Sequence, residues 1–235
     1  MRFPVKIKAV LFLSLFLWLQ IIQAQNVKEN PYGLQIIATV HSYDSLVCAD
    51  SIKKLVDLVK VVPGILPDIR YATNDNFTHS TIYASARAFA RLPVARALAL
   101  VEQDLGKRGL GLKVFDAYRP YAATLLFYKV MNDTVFVAAP WKGSRHNRGC
   151  AVDVSLVDLK TGRELEMPTP YDDFTKRASP TYPDLPEKAL KNRKILIDAM
   201  TARGFTVYPD EWWHFDFNGW ERYELMDLTF EELDK

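Results

Sequence analysis

The sequence predicts an α+β domain with a mainly antiparallel sheet and flanking helices, and three observations carry that reading. Helical and strand-like stretches are interspersed without the regular βαβ alternation of a parallel sheet. No glycine-rich phosphate loop follows a strand-like run. The two clearest strand patterns, Cys150-Val152-Val154-Leu156 and Trp213-Phe215-Phe217, have the period of two that marks a half-buried strand.

The 235 residues are 49% apolar and 25% charged, ordinary globular usage that suits one domain with its own core. A net charge of +2 gives no electrostatic case for a nucleic-acid partner. The N-terminus differs in kind. Arg2, Lys6 and Lys8 precede an apolar run from Ala9 to Ile22, and Gln23-Ala24-Gln25 offers a small residue for cleavage. This is the layout of a secretory signal peptide over 1–24, with export to the periplasm and no membrane attachment after cleavage. The run is short for a membrane span, so a retained anchor is the second reading. Residues 25–50 read as a lead-in of little periodicity and 51–235 as the domain. Two cysteines, Cys48 and Cys150, could pair after export. Cys150 lies on the apolar face of its strand, which favours a free buried thiol.

Leu55 to Val62 begins the fold and Pro63-Gly64 marks a turn. Asp68 to Thr78 is a short extended piece running into an Asx-rich turn. Pro93 suits the first turn of a helix, whose stripe Val94, Leu98, Val101 and Leu105 faces the core until Gly109 ends it. Leu112, Val114 and Asp116 alternate as a strand, and Pro120 opens a second helix that runs to about Met131. Asp158 to Gly162 forms a hairpin turn after the Cys150 strand. Met167 to Pro186 holds five prolines and three aspartates, too many breakers for anything but a long loop. Glu187 to Arg203 reads as a helix with Leu190, Ile197 and Met200 on its buried side. Phe205 to Asn218 supplies the last strand or strand pair.

The chemistry concentrates in Ser144 to Leu156 and Glu211 to His214. His41 and His79 sit in polar surroundings and read as surface residues. His146 is different, because Gly149 permits a tight turn and Asp153 follows on a strand whose alternation points it away from the core. A plain ion pair of Asp153 with Arg145 or Arg148 is the other reading. His214, on the polar face of its strand with Asp216 and Asn218, completes two nitrogens and one carboxylate oxygen. That set binds catalytic zinc and leaves a position for water, whose pKa the ion lowers. Glu211 is then available as general base. The same ligand types make the facial triad of iron oxygenases, but those usually place the first His and carboxylate two apart, whereas His146 and Asp153 are seven apart. Arg119, held by Pro120, either stabilises an oxyanion or forms a surface ion pair with Asp116.

At these residues the chain resembles the zinc D-alanyl-D-alanine dipeptidase family. The likeness runs from about Asp68 to Phe217. Its markers are D-x-R-Y-A-T-x-D-N-F-T at Asp68 to Thr78, D-x-Y-R-P at Asp116 to Pro120, S-x-H-x-x-G-x-A-x-D at Ser144 to Asp153, the segment Met167 to Phe174, and E-W-W-H at Glu211 to His214. The resemblance implies one zinc on His146, Asp153 and His214, Glu211 as base and Arg119 as transition-state stabiliser. It implies that Asp172 meets the free amine of a dipeptide substrate, with Tyr71 and Ser144 lining the pocket, although Asp173 could exchange roles with Asp172. It also implies a fold similar to zinc D,D-carboxypeptidases and the Hedgehog signalling domain. Related readings are a D,D- or L,D-carboxypeptidase acting on peptidoglycan peptides and a zinc-bearing binding module without turnover. A carboxylate for a free amine favours the dipeptidase, and the presence of Glu211 favours turnover. Two departures stand out: His79 occupies a turn position where the family often has glycine, and the family members that serve vancomycin resistance are cytoplasmic whereas this chain carries the layout of an export signal.

Overall fold

The stretches of alternating apolar residues from Cys150 and Trp213 become neighbouring strands within a five-stranded sheet. In the computed structural model of the chain, residues 30–234 are described, and the segment read as a signal peptide lies outside them. The elements in chain order are β1 (Ile36–Ile37), α1 (Val40–Ala49), β2 (Leu55–Asp57), α2 (Leu58–Val61), β3 (Leu66–Pro67), β4 (Phe89–Arg91) and α3 (Leu92–Gly106). There follow β5 (Leu110–Asp116), α4 (Tyr121–Val130), β6 (Ala151–Asp158), α5 (Glu187–Thr201), β7 (Phe205–Tyr208), β8 (Glu211–Phe217), β9 (Leu225–Met226) and α6 (Phe230–Leu233). The protein is thus of mixed α and β structure, and its described residues from Tyr32 onward form one compact unit.

The sheet order is β3-β5-β6-β8-β7. β3 runs parallel to β5, and the β5–β6, β6–β8 and β7–β8 pairs are antiparallel. Two small pairings flank it, β1 with β9 and β2 with β4. The stripe Val94, Leu98, Val101 and Leu105 of α3 is fully buried, and Pro93 sits in the first turn as the sequence predicts. Each such side chain removed from water contributes roughly 1.5–3 kcal/mol. No described helix is long and apolar enough to cross a membrane. Both cysteines are free, Cys48 exposed and Cys150 buried.

Three local expectations change. The lead-in contains the helix α1, capped by Thr39, whose hydroxyl accepts the N–H of Ser42. It buries only Tyr43, whose hydroxyl accepts the N–H of Leu55 at 2.7 Å, so there was almost no apolar period to read. On α5 the buried side is Ala189, Asn192, Arg193, Leu196 and Met200, leaving Leu190 and Ile197 half-buried. The carbonyls of the proline-rich loop draw the polar positions inward, Asn192 donating to Glu166 at 2.9 Å and Arg193 to Tyr182 at 2.8 Å. Asp153 does lie on the face opposite Val152 and Val154, yet it is only 2% exposed. That second face is covered by loop side chains, Tyr171 among them, rather than open to solvent.

Candidate active site

The site is assembled from β5, β6, β8 and the turn before β6. His146 opens a short 3-10 turn, His146–Arg148, that Gly149 closes at φ 68°. A Cβ on Gly149 would meet Leu55 Cδ2 at 2.5 Å, so another residue at this return onto β6 would need both a strained backbone and a shift of Leu55. The Nδ1–H of His146 donates to the Ala117 carbonyl at 2.6 Å, which fixes the tautomer and turns the Nε2 lone pair toward the cavity.

Asp153 and His214 are direct cross-strand partners between β6 and β8. His214 Nε2–H donates to Asp216 Oδ1 at 3.0 Å, leaving Nδ1 to face Asp153. Glu211 and His214, three residues apart, would point to opposite faces of a regular strand. A bulge resolves this: Val207 pairs with Phe215 and Tyr208 with Glu211, so Trp212, Trp213 and His214 have no partner on β7. Glu211 Oε2 consequently lies 3.8 Å from His214 Nδ1. A second bulge, at Phe115, sets Asp116 opposite Asp153.

His146 Nε2, His214 Nδ1 and Asp153 Oδ1 converge. The two nitrogens are 3.1 Å apart, and the carboxylate oxygen lies 3.4 Å from His146 Nε2 and 3.0 Å from His214 Nδ1. Ligands about 2.0–2.1 Å from a tetrahedral centre are separated by about 3.3 Å, so these atoms have the spacing of three corners around one ion. Asp153 Oδ1 is buried and has no hydrogen-bond partner. Burial alone would lower the pKa of His214, but the flanking carboxylates of Asp153 and Asp216 push it up to about 10. Burial would raise that of Asp153, but His146 and His214 hold it well below the usual carboxylate range. The surroundings therefore favour a positive charge at this point, and the donor set fits a metal ion.

The other expected residues line the same cavity, of about 70 Å³: Tyr71, Arg119, Ser144, Asp172 and Glu211. Arg119 does pair with Asp116, as one reading had it, but the pair is buried and inside the site, not on the surface. Burial alone would lower the Arg119 pKa, and the Asp116 charge overrides it to keep the guanidinium charged. Arg145 lies 3.6 Å from Asp216, and Arg148 donates to the Tyr223 carbonyl, so neither neutralises Asp153. Asp172 adopts the left-handed region at φ 60°, which Asp tolerates better than most residues, and accepts the Tyr71 hydroxyl at 3.2 Å on both oxygens. Asp173 instead caps the next turn, accepting the Thr175 N–H at 3.0 Å. Burial pushes the Asp172 pKa up to about 7, with the Asp153 charge adding to it. Burial likewise pushes Glu211 up to about 8 against the pull of His214. His41 and His79 are exposed, and His79 takes the left-handed backbone (φ 52°) that glycine would adopt without strain.

Three contributors were not foreseen. Asp216 orients His214, and its signal was present in the two-residue spacing that puts both on one face. Asn147 accepts the Ser144 N–H at 2.8 Å and donates to the Arg119 carbonyl at 2.9 Å, tying the His146 turn to the segment that leaves β5. Tyr171 donates its hydroxyl to Asp153 Oδ2 at 2.9 Å, from a loop with no period to announce it.

A family model described as D-ala-D-ala dipeptidase matches residues 51–232. The D-alanyl-D-alanine dipeptidase of Escherichia coli (strain K12) is 34% identical over 177 residues, covering 75% of this chain and 91% of that protein. That of Enterococcus faecium is 28% identical over 178 residues, covering 67% and 88%. A solved LdcB LD-carboxypeptidase aligns over 77% of this chain and 76% of its own at 21% identity, with a TM-score of 0.39. The family model spans every strand of the central sheet and every residue of the converging cluster, and the chain belongs to the D-Ala-D-Ala dipeptidase family.

Proposed function

We propose that the protein is an exported, zinc-dependent dipeptidase that hydrolyses D-Ala-D-Ala, or a closely related D,D-dipeptide, to free amino acids. The observation that carries this reading is the approach of His146 Nε2, Asp153 Oδ1 and His214 Nδ1 to within 3.4 Å of one another, beside the buried carboxylate of Glu211.

His146, Asp153 and His214 would hold the ion. When bound, zinc supplies Lewis acidity toward the scissile carbonyl and toward water. Glu211 takes a proton from the attacking water and delivers it to the departing amine nitrogen. Burial raises its proton affinity, so that once ionised it is a stronger base than a solvated carboxylate. The Arg119 guanidinium, braced by Asp116, neutralises the oxyanion of the tetrahedral intermediate. Asp172 pairs with the ammonium of the dipeptide, and Tyr71 steadies that carboxylate; Ser144 forms part of the wall. Phe77, Phe127, Phe136, Phe174 and Trp213 supply apolar walls that exclude water and limit side-chain size.

We read the domain as 51–235 following a lead-in over 25–50, and its sheet as the mainly antiparallel type of D,D-peptidases and the Hedgehog signalling domain. The antiparallel pairing of β5, β6, β8 and β7 supports this. Export rests on the three-part layout of residues 1–24. The deciding experiment compares hydrolysis of D-Ala-D-Ala, N-acetyl-D-Ala-D-Ala and a pentapeptide ending in D-Ala-D-Ala. Cleavage confined to the free dipeptide is expected; preference for the blocked or longer substrates would make the protein a carboxypeptidase.

A further inference from the structure

Two tyrosines stand back to back between the two carboxylates that the reaction uses differently. Tyr71 donates to Asp172 and Tyr171 to Asp153 Oδ2, and the two phenolic oxygens are 3.3 Å apart. A hydroxyl has one proton to give. For Tyr171 the alternatives are an anionic oxygen at 2.9 Å and a neutral phenol at 3.3 Å, and the shorter, charge-assisted bond wins. The ring is fixed by its neighbours, stacking on Phe115 with centroids 4.6 Å apart and meeting Trp213 edge-on at 5.5 Å. The hydroxyl is therefore aimed and cannot swing away without breaking those packings. Its partner oxygen is the one turned from the cluster, while Asp153 Oδ1, without any hydrogen bond, faces the two histidines.

Resting on the metal reading above, we propose that Tyr171 is a positioning residue that keeps Asp153 a one-oxygen ligand. By occupying Oδ2, the hydroxyl prevents the carboxylate from rotating to offer both oxygens, which would use up a position needed for water or substrate. Arg119 cannot substitute, because its nearest nitrogen is 4.0 Å from Oδ2 and committed to Asp116. Tyr71, although in contact with Tyr171, serves Asp172 and leaves the ligand alone.

The test compares Tyr171→Phe and Tyr71→Phe in the purified full chain. Phenylalanine preserves the stack and deletes only the hydroxyl. Zinc affinity, measured by competition with a chromophoric chelator, should fall about tenfold in Tyr171→Phe, the lower end of what losing a ligand's hydrogen-bond partner costs. It should stay at the parent level in Tyr71→Phe. Substituted with Co(II), Tyr171→Phe should show the weaker visible bands of a higher coordination number, and the parent and Tyr71→Phe the stronger bands of four-coordination. Without metal, all three should keep the parent's near- and far-UV circular dichroism and a cooperative melt, separating positioning from loss of fold. Equal zinc affinity and equal Co(II) spectra in Tyr171→Phe and a zinc-binding parent would overturn the role of Tyr171 alone. A parent that takes up no zinc would overturn the metal reading, and this inference with it.

Discussion

Nη2 of Arg119 lies 2.8 Å from Oδ2 of Asp116, and Nε of the same guanidinium lies 3.0 Å from that oxygen. Two donors of one planar group are thus pinned on a buried carboxylate, while the guanidinium carbon sits 4.6 Å from the centre of the Phe127 ring. The guanidinium is thereby held in a fixed direction beside the cavity. A lysine has a single charged nitrogen, which cannot both pair with Asp116 and stand where an oxyanion develops. Arg119→Lys is expected to lower kcat by about 100-fold with a much smaller change in KM, the signature of an interaction made in the transition state. Steady-state kinetics on D-Ala-D-Ala decide it, and an unchanged kcat would remove Arg119 from the chemistry.

Glu211 lies beside the converging cluster without belonging to it. Glu211→Gln keeps the shape and removes the basic oxygen. The variant and the parent should each take up one zinc per chain, and the variant should lose about 10²- to 10⁴-fold in kcat. Elemental analysis and a rate assay on the same sample check both halves. Parent-like turnover in the Gln variant would dismiss Glu211 as the base.

Loss of metal should be visible in stability as well as in activity. His146 links the cluster to the Ala117 carbonyl, so His146→Ala deletes one ligand atom and one anchor together. Zinc content should fall below one per chain and turnover should vanish. For the parent, free zinc at a hundred times its Kd should add about 2.7 kcal/mol of stability over the chelated protein. Scanning calorimetry with and without chelator reads this directly; identical melting curves would mean that the cluster does not bind the ion.

Much of this site was legible because it follows simple periods. Alternation along Cys150 to Leu156 put Asp153 on the face opposite the core, and the same argument grouped His214 with Asp216. The bulges were not legible, because an extra residue in one strand depends on which partner it meets. Without the bulge on β8, the spacing of Glu211 and His214 argues against a shared cavity; with it, both face one point. Tyr171 and Asn147 lay deeper still. Each acts through hydrogen bonds to residues distant in sequence, Tyr171 from a proline-rich loop and Asn147 from a turn, where no period exists. The buried side of α5 was misjudged for a related reason, since carbonyls of that loop pull Asn192 and Arg193 inward.

Substrate size should be set by an aromatic ladder. Phe136 stacks on Phe174 with centroids 5.0 Å apart, and Phe174 meets Phe77 at 5.3 Å, all three lining the cavity. Phe136→Ala removes one end of this ladder. It should raise kcat/KM for D-Ala-D-Phe relative to D-Ala-D-Ala by about tenfold, the scale on which apolar pockets discriminate. An unaltered ratio would show that Phe136 does not limit the side chain accepted.

Glu102 tests the fold apart from the chemistry. It lies on α3 among apolar side chains, 7% exposed, with Oε1 accepting the Leu112 N–H at 2.7 Å. Burial pushes its pKa from 4.5 up to about 7. A carboxyl whose folded pKa exceeds its unfolded one binds its proton more tightly in the native protein. Its contribution is therefore complete below pH 4.5 and is lost as the pH rises through about 7. The shift corresponds to at most roughly 3 kcal/mol. Glu102→Gln retains an oxygen for Leu112 and cannot ionise. Measured by urea unfolding, the stability of the Gln variant relative to the parent should climb between pH 5 and pH 8 by up to that amount, because only the parent must bury a charge at the higher pH. A difference that stays constant across this range would mean that Glu102 is solvated when charged and that the packing of α3 on β5 admits water at this point.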